Sequence, residues 1–262
     1  MRKTGNAVVP IGVKQADSTT AWIGTGFLVV RRSSLGQLNP FLISNKHVLS
    51  ASTELCYAMK EIDSDNVKIL SVNTKDKEGN AMFRIHSNPQ VDIAVIPLDA
   101  DYIRSEKVVF PAFDIDNNAM TSSELRKAGV DDGALVYMLG FTLGLVNASS
   151  KAPICRLGCI SRMSESQINE QFSILVDIQN FPGNSGSPII LRPELISVDG
   201  MRPFNQSVLV GIVHSYIPYQ DQLRSVQTQQ IVEVRSENSG IALVHPVEFI
   251  RDVVNSFYGG SN

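Results

Sequence analysis

Short apolar runs alternate with turn residues along almost the whole chain, and this spacing leaves little room for helices. Stretches rich in Val, Ile, Leu and Phe occupy residues 7–13, 21–31, 39–44, 67–73, 81–86, 92–98, 135–141, 172–178, 187–191, 207–214, 230–234 and 240–244. Gly, Pro, Asn and Asp fall between them, where turns need positive φ or a preset backbone. Runs of this length read as strands, and about a dozen of them in one chain imply barrels or a sandwich. Two helical signals stand out. Residues 122–127 follow a cap at Thr121 or Ser122. Residues 246–258 start with a proline suited to a first helical turn and place Val247, Ile250, Val254 and Phe257 at helical spacing before Gly259-Gly260.

A chain of 262 residues exceeds the roughly 150 of an average domain, so two lobes are expected. The polar cluster of Asp114, Asp116, Asn117 and Asn118 marks the boundary and divides the chain into residues 1–115 and 116–262. The polar, Gln-rich segment 216–239 reads as a surface excursion carrying a hairpin.

Charge and composition narrow the partners. The formal net charge is −3, which supplies no basic footprint for nucleic acid. The least polar stretch, residues 133–148, is shorter than the roughly 20 residues of a membrane span, so no membrane association is expected. No apolar run follows Arg2 and Lys3, so a signal peptide is not expected and a cytoplasmic location is. Cys155 and Cys159 lie in an extended segment at about 13 Å, beyond the ~7 Å limit for a disulfide. With Cys56 they are expected as free thiols, and three Cys with four scattered His supply no metal site.

Three segments carry chemistry. In Gly183-Asn184-Ser185-Gly186-Ser187-Pro188, small residues let a substrate backbone approach Ser185 and let consecutive N–H groups converge on one point. His47 follows the apolar strand 39–44, and a strand end is where a rigid scaffold presents a functional group. Asp92 heads the apolar run 92–98, where a carboxylate must be exposed or paired. Each alone has a plainer reading: a Gly-rich turn, a surface histidine, a turn cap. Together they stand in the order His, Asp, Ser.

With Gly24-Thr25-Gly26-Phe27-Leu28-Val29, Gly140, 207–213 and 240–244, these segments resemble the trypsin-like serine peptidases of the chymotrypsin fold, in order and over nearly the whole chain. The resemblance implies an all-β fold of two antiparallel six-stranded β-barrels with a C-terminal helix. It implies a serine endopeptidase in which Ser185 is the nucleophile, His47 the base and Asp92 its orienter. Gly183 and Ser185 would supply the oxyanion-hole N–H groups, with no cofactor and a polypeptide substrate. The nearest branch resembles the bacterial HtrA-like and glutamyl-endopeptidase-like groups. Too few residues follow Ser185 for a PDZ domain as well as a barrel, so none is expected. Asn184 stands where trypsins carry an acid for a newly cut N-terminus, so that mode of zymogen activation is not expected.

By position, Gln179 falls near the floor of the primary pocket, while Val213, His214 and Ser215 form the edge that pairs with substrate. Tyr216 narrows the pocket, which favours a small or medium uncharged P1 residue. His214 also invites a glutamate-binding reading, but a one-residue offset in a strand reverses its face. His86 and His245 are expected to be structural, Asp177 to order its loop, and Trp22 to sit in the core. The competing function is a latent or catalytically silent protease-like module that binds peptides or a regulatory protein partner. An α/β-hydrolase using Ser185, Asp221 and His245 lacks both the G-x-S-x-G elbow and alternating helices. The oligomeric state is not legible.

Overall fold

The computed structural model describes residues 5–33, 36–64, 66–146, 151–194 and 203–259. The first half is a sheet of eight strands: β1 (Val8–Lys14), β2 (Thr20–Arg32), β3 (Leu38–Ser44), β4 (Glu54–Lys60), β5 (Val67–Asn73), β6 (Arg84–Ile85), β7 (Ala94–Pro97) and β8 (Phe113–Asp114). They run in the order β5-β4-β1-β2-β3-β7-β6, with β8 added in parallel to β2. The second half is a closed six-stranded barrel of β9 (Leu135–Gly140), β10 (Ile154–Arg162), β11 (Ile174–Asp177), β12 (Pro188–Leu191), β13 (Val208–Arg224) and β14 (Ile231–Pro246). The fold is all-β with few helices. The first half departs from a six-stranded count because the two-residue strands β6 and β8 add to its sheet.

Each half has its own core. Val9, Ile11, Leu28, Leu42, Leu55 and Tyr57 pack in the first, and Val136, Met138, Ile160, Val176, Ile189 and Val244 in the second. A third cluster belongs to both: Phe27, Phe41 and Ile43 meet Leu139, Phe141, Ile190 and Leu209. Side chains of this size contribute about 1.5–3 kcal/mol each when fully buried, so the shared layer fixes one half against the other.

The C-terminal helix strengthens that lock. It spans Val247–Ser256 and buries Val247, Ile250, Val253 and Val254, the stripe its periodicity predicts. Although it follows the second barrel, its end lies on the first half. Asn255 accepts from Arg31, Asn39 Nδ2 donates to the Tyr258 hydroxyl at 2.8 Å, and Arg84 lies over the Phe257 ring at 4.6 Å. The short helix Ser122–Lys127 has a full capping box between Thr121 and Glu124.

Three local outcomes differ from or refine the sequence reading. Trp22 is only half-buried: it lies in the partly exposed opening residues of β2, its ring against Gly12 rather than in the core. The Gln-rich segment is one long ribbon, in which β13 and β14 continue past the barrel in antiparallel pairing. All three cysteines are free thiols. No helix of the described residues is long and apolar enough to cross a membrane.

Candidate active site

His47 sits in a single-turn helix, Lys46–Leu49, at the end of β3. Val48 and Leu49 anchor that turn in the core, while 53% of the His47 side chain is exposed. Its Nδ1 lies 2.6 Å from Asp92 Oδ2, and its backbone N–H donates to Asp92 Oδ1 at 3.2 Å. A carboxylate at this distance accepts the Nδ1 proton, which leaves the Nε2 lone pair free to act as a base.

Asp92 is held on every side. Its C=O accepts from Asn45 Nδ2 at 2.8 Å, and its N–H donates to His245 Nε2 at 3.0 Å. Burial pushes its carboxyl pKa up, but the hydrogen bonds and charge of His47 outweigh this and hold it below the usual carboxylate value. Asp92 is therefore ionised at neutral pH.

Ser185 lies on the loop between β11 and β12. Gly24 is wedged between Val48, the neighbour of His47, and the Ser185 carbonyl: a Cβ there would sit 2.9 Å from Val48 and 3.3 Å from Ser185 O. This brings the histidine turn and the serine loop against the same point of β2. Thr25 ties them further. Its N–H donates to Ser185 O at 2.9 Å, its hydroxyl donates to Gly183 O at 2.7 Å, and the same hydroxyl accepts from Phe141 N–H at 3.0 Å.

The loop has an unusual pattern of donors. Asn184 N–H donates to Phe181 O, Gly186 N–H to Val213 O and Ser187 N–H to Asn184 O. Among the described residues, the N–H groups of Gly183 and Ser185 meet no protein acceptor. Two glycines make this conformation accessible. Gly183 has φ +93 and would place a Cβ 2.5 Å from Phe141 O, while Gly186 has φ +87 and would place one 2.0 Å from Thr25 O. Two unpaired N–H groups beside a serine hydroxyl can stabilise an oxygen anion formed at an attacked carbonyl. Asn184 is buried, and its Oδ1 accepts from Thr142 at 2.8 Å.

The expected substrate residues have separate placements. Gln179 is exposed, and its amide lies 3.5 Å from the position of a Cβ on Gly240. Asp177, also exposed, is close to the same glycine. Val213 departs from its expected place at the substrate edge. Its N–H donates to Ser187 O and its C=O accepts from Gly186, so its backbone holds the serine loop and is not open for pairing. His214 sits at a bulge of β13 and turns its side chain inward. Its Nε2 is 2.9 Å from Ser173 Oγ, and its ring stacks on His245 at 3.8 Å. Ser215 O accepts from Asn180 Nδ2 at 3.0 Å, and Tyr216 is exposed beside it. His86 bridges Asn88 N–H and Asp252 and lies far from a catalytic role.

Thr25, Asn45, Thr142 and His245 all support the site. Thr25 lies inside the Gly-Thr-Gly segment of β2 and Asn45 two residues before His47, so the sequence marks those two. His245 is remote in sequence from everything it touches.

A closed six-stranded β-barrel packed on a second β-sheet, with a His–Asp pair on one half and a Gly-rich serine loop on the other, defines a trypsin-like fold. A profile of the trypsin-like peptidase domain matches residues 24–194, and the chain belongs to that family. Among solved structures it is similar to HBP, determined at atomic resolution, with a TM-score of 0.53 and 10% identity over all of this chain and 95% of that one. At that identity the likeness is one of fold. A search of curated protein sequences finds no match.

Proposed function

We propose that the protein is a serine endopeptidase acting through His47, Asp92 and Ser185. The observation that carries the reading is the 2.6 Å His47–Asp92 pair, whose histidine turn packs against the same glycine of β2 as a serine loop with two unused N–H donors. The catalytic groups come from lobes 1–115 and 116–262.

The chemistry follows from the polarity of each group. Ser185 Oγ attacks the scissile carbonyl and passes its proton to His47 Nε2. Asp92 accepts Nδ1–H throughout and stabilises the imidazolium. The oxyanion of the tetrahedral intermediate takes the N–H groups of Gly183 and Ser185, worth about 3–4 kcal/mol for each donor. His47 then protonates the leaving amine, and water reverses the sequence on the acyl-enzyme. In this reading Gln179, Ser215 and Tyr216 meet the P1 side chain, and since none of the three is charged and the nearby Asp177 is exposed to solvent, an uncharged residue is favoured.

A peptide-library cleavage profile with Ser185→Ala as control tests this. Cleavage by the wild type that disappears in the variant supports it. Equal cleavage by both, or no cleavage together with no fluorophosphonate labelling of Ser185, overturns it.

A further inference from the structure

His245, buried, and His214, half-buried, take no part in the steps above. His245 Nδ1 lies 2.6 Å from the backbone carbonyl of Phe172, and its Nε2 lies 3.0 Å from the amide nitrogen of Asp92. Both partners have fixed polarity, so the ring state is determined. A carbonyl can only accept, so Nδ1 carries the proton, and an amide N–H can only donate, so Nε2 carries the lone pair. The ring is neutral. A proton on Nε2 would point at the Asp92 N–H, donor against donor.

We propose that His245 is a positioning residue: its neutral imidazole, supplied by the second barrel, holds Asp92 of the first half in register with His47, and protonation of the ring releases that hold. The inference rests on the peptidase reading of the site.

The surroundings support a device of this kind. Phe172 adopts a left-handed conformation, φ 51 and ψ 27, at the end of the helix Glu165–Gln171, and this aims its carbonyl at the His245 ring. Left-handed backbone is unfavourable for a bulky residue and persists only where neighbours enforce it. On β13, His214 stacks over His245 with an interplanar angle of 9°. On the C-terminal helix, Phe249 meets His245 edge-on at 6.2 Å and also meets His86, whose ring faces Asp252.

The titratable groups around His245 are therefore His214, His86, Asp92 and, beyond them, His47 and Asp252. Burial is the main influence on the ring and opposes its charging, outweighing the Phe172 carbonyl and the Asp92 charge, and takes it to about 4. The hold is in place at neutral pH and yields in acid.

Three proteins test this: wild type, His245→Leu and His245→Gln. Leucine keeps apolar volume and removes the acceptor, whereas glutamine offers an acceptor that cannot be protonated. The first readout is the rate of Ser185 labelling by a fluorophosphonate probe from pH 3.5 to pH 8. The second is hydrogen exchange at the Asp92 amide. His245→Leu is expected to label about 10²-fold more slowly, as a misplaced catalytic group does, and to lose protection at Asp92. His245→Gln is expected to restore labelling at neutral pH and to lose the inflection near pH 4.

Wild-type labelling and an unchanged Asp92 amide in His245→Leu overturn the proposal. If His245→Leu does not fold, a His245→Gln acid limb identical to wild type overturns it. If no protein labels, yet Asp92 exchange depends on His245, the positioning stands and the peptidase reading fails.

Discussion

The Thr25 hydroxyl donates to the Gly183 carbonyl at 2.7 Å and accepts from Phe141 N–H at 3.0 Å. One buried side chain on β2 thus orients the Gly183 peptide from across the interface between the halves. That bond fixes the Gly183–Asn184 peptide, whose own N–H donates to Phe181 O, and so holds the turn that carries the Gly183 and Ser185 N–H groups. Thr25→Val keeps the shape and removes both hydrogen bonds. It leaves Phe141 N–H buried without an acceptor, a loss of about 1–3 kcal/mol. The expected outcome is a lower urea midpoint together with a fall in kcat, and a kcat equal to wild type would show that Thr25 does not hold the serine loop in its working shape.

Gly186→Ala should be more severe. The substitution sets a Cβ 2.0 Å from Thr25 O and 2.4 Å from Ser44 Oγ, in a backbone with φ +87. Neither the carbonyl nor the strained φ can relax without moving the serine loop. A stability loss above about 3 kcal/mol is expected, in the range of steric overpacking with backbone strain. Chemical denaturation measures it, and a loss under 1 kcal/mol by that assay would mean that the loop deforms easily.

Asp92→Asn tests the tautomer argument. The amide can present a donor to Nδ1 and so favour the wrong proton placement on His47, and kcat should fall on the order of 10⁴-fold with KM little changed. The contribution of Asp92 to stability has a definite sign. Its folded pKa lies below the ordinary 3.8, so the contribution is complete above that value and is lost as pH falls through the lower folded value. A drop in kcat smaller than tenfold would remove Asp92 from the catalytic set.

Acid lability should begin well above the carboxylate range. Burial, then the neighbouring His245, lowers His214 from 6.5 to about 3, and burial lowers His245 to about 4. The unfolded chain therefore binds these protons first. Stability from the pair is complete above about 6.5, and declines as pH falls toward the folded values, by up to roughly 1.4 kcal/mol per pH unit for each ring. The urea midpoint should drop between pH 7 and pH 4.5, and the double variant His214→Gln/His245→Gln should flatten the slope. A wild-type midpoint constant over that interval contradicts the burial of two neutral imidazoles.

Lys151 gives a contrasting case. It is 6% exposed, its ammonium meets the Asn6 carbonyl at 2.8 Å, and burial takes its pKa from 10.5 to about 7. A lysine with a lowered folded pKa costs stability at every pH below 10.5, most strongly below 7. Lys151→Met is expected to raise Tm at pH 6 by several degrees and to have a smaller effect at pH 10. A lower Tm at both would show that the Asn6 hydrogen bond outweighs the burial cost.

The sequence marked the strands whose apolar residues are β-branched or aromatic and whose ends carry turn chemistry. Residues 67–73 are β5 without adjustment, and the Thr121 cap and the apolar stripe of the C-terminal helix are both present. It did not mark β4, whose Leu-Cys-Tyr-Ala-Met core lacks β-branching and is extended only because β1 and β5 pair with it on either side. Nor did it mark the helices Ala100–Ser105 and Glu165–Gln171, which have caps at Asp99 and Ser164 but are too short for a periodic stripe. The separation of His47, Asp92 and Ser185 into segments with their own local signals made the candidate site legible, since each sits beside turn or strand-end chemistry. What surrounds those three depends on tertiary structure. Val213 was open to substrate by strand position, yet Ser187 and Gly186 occupy its backbone. His245 reads as a helix-flanking residue, yet the closed barrel sets its ring beneath Asp92. Local sequence determines which atoms can carry the chemistry because side-chain type and turn geometry are local properties. Which lone pair faces which N–H is decided by contacts between residues far apart in the chain, and those exist only once both halves have packed.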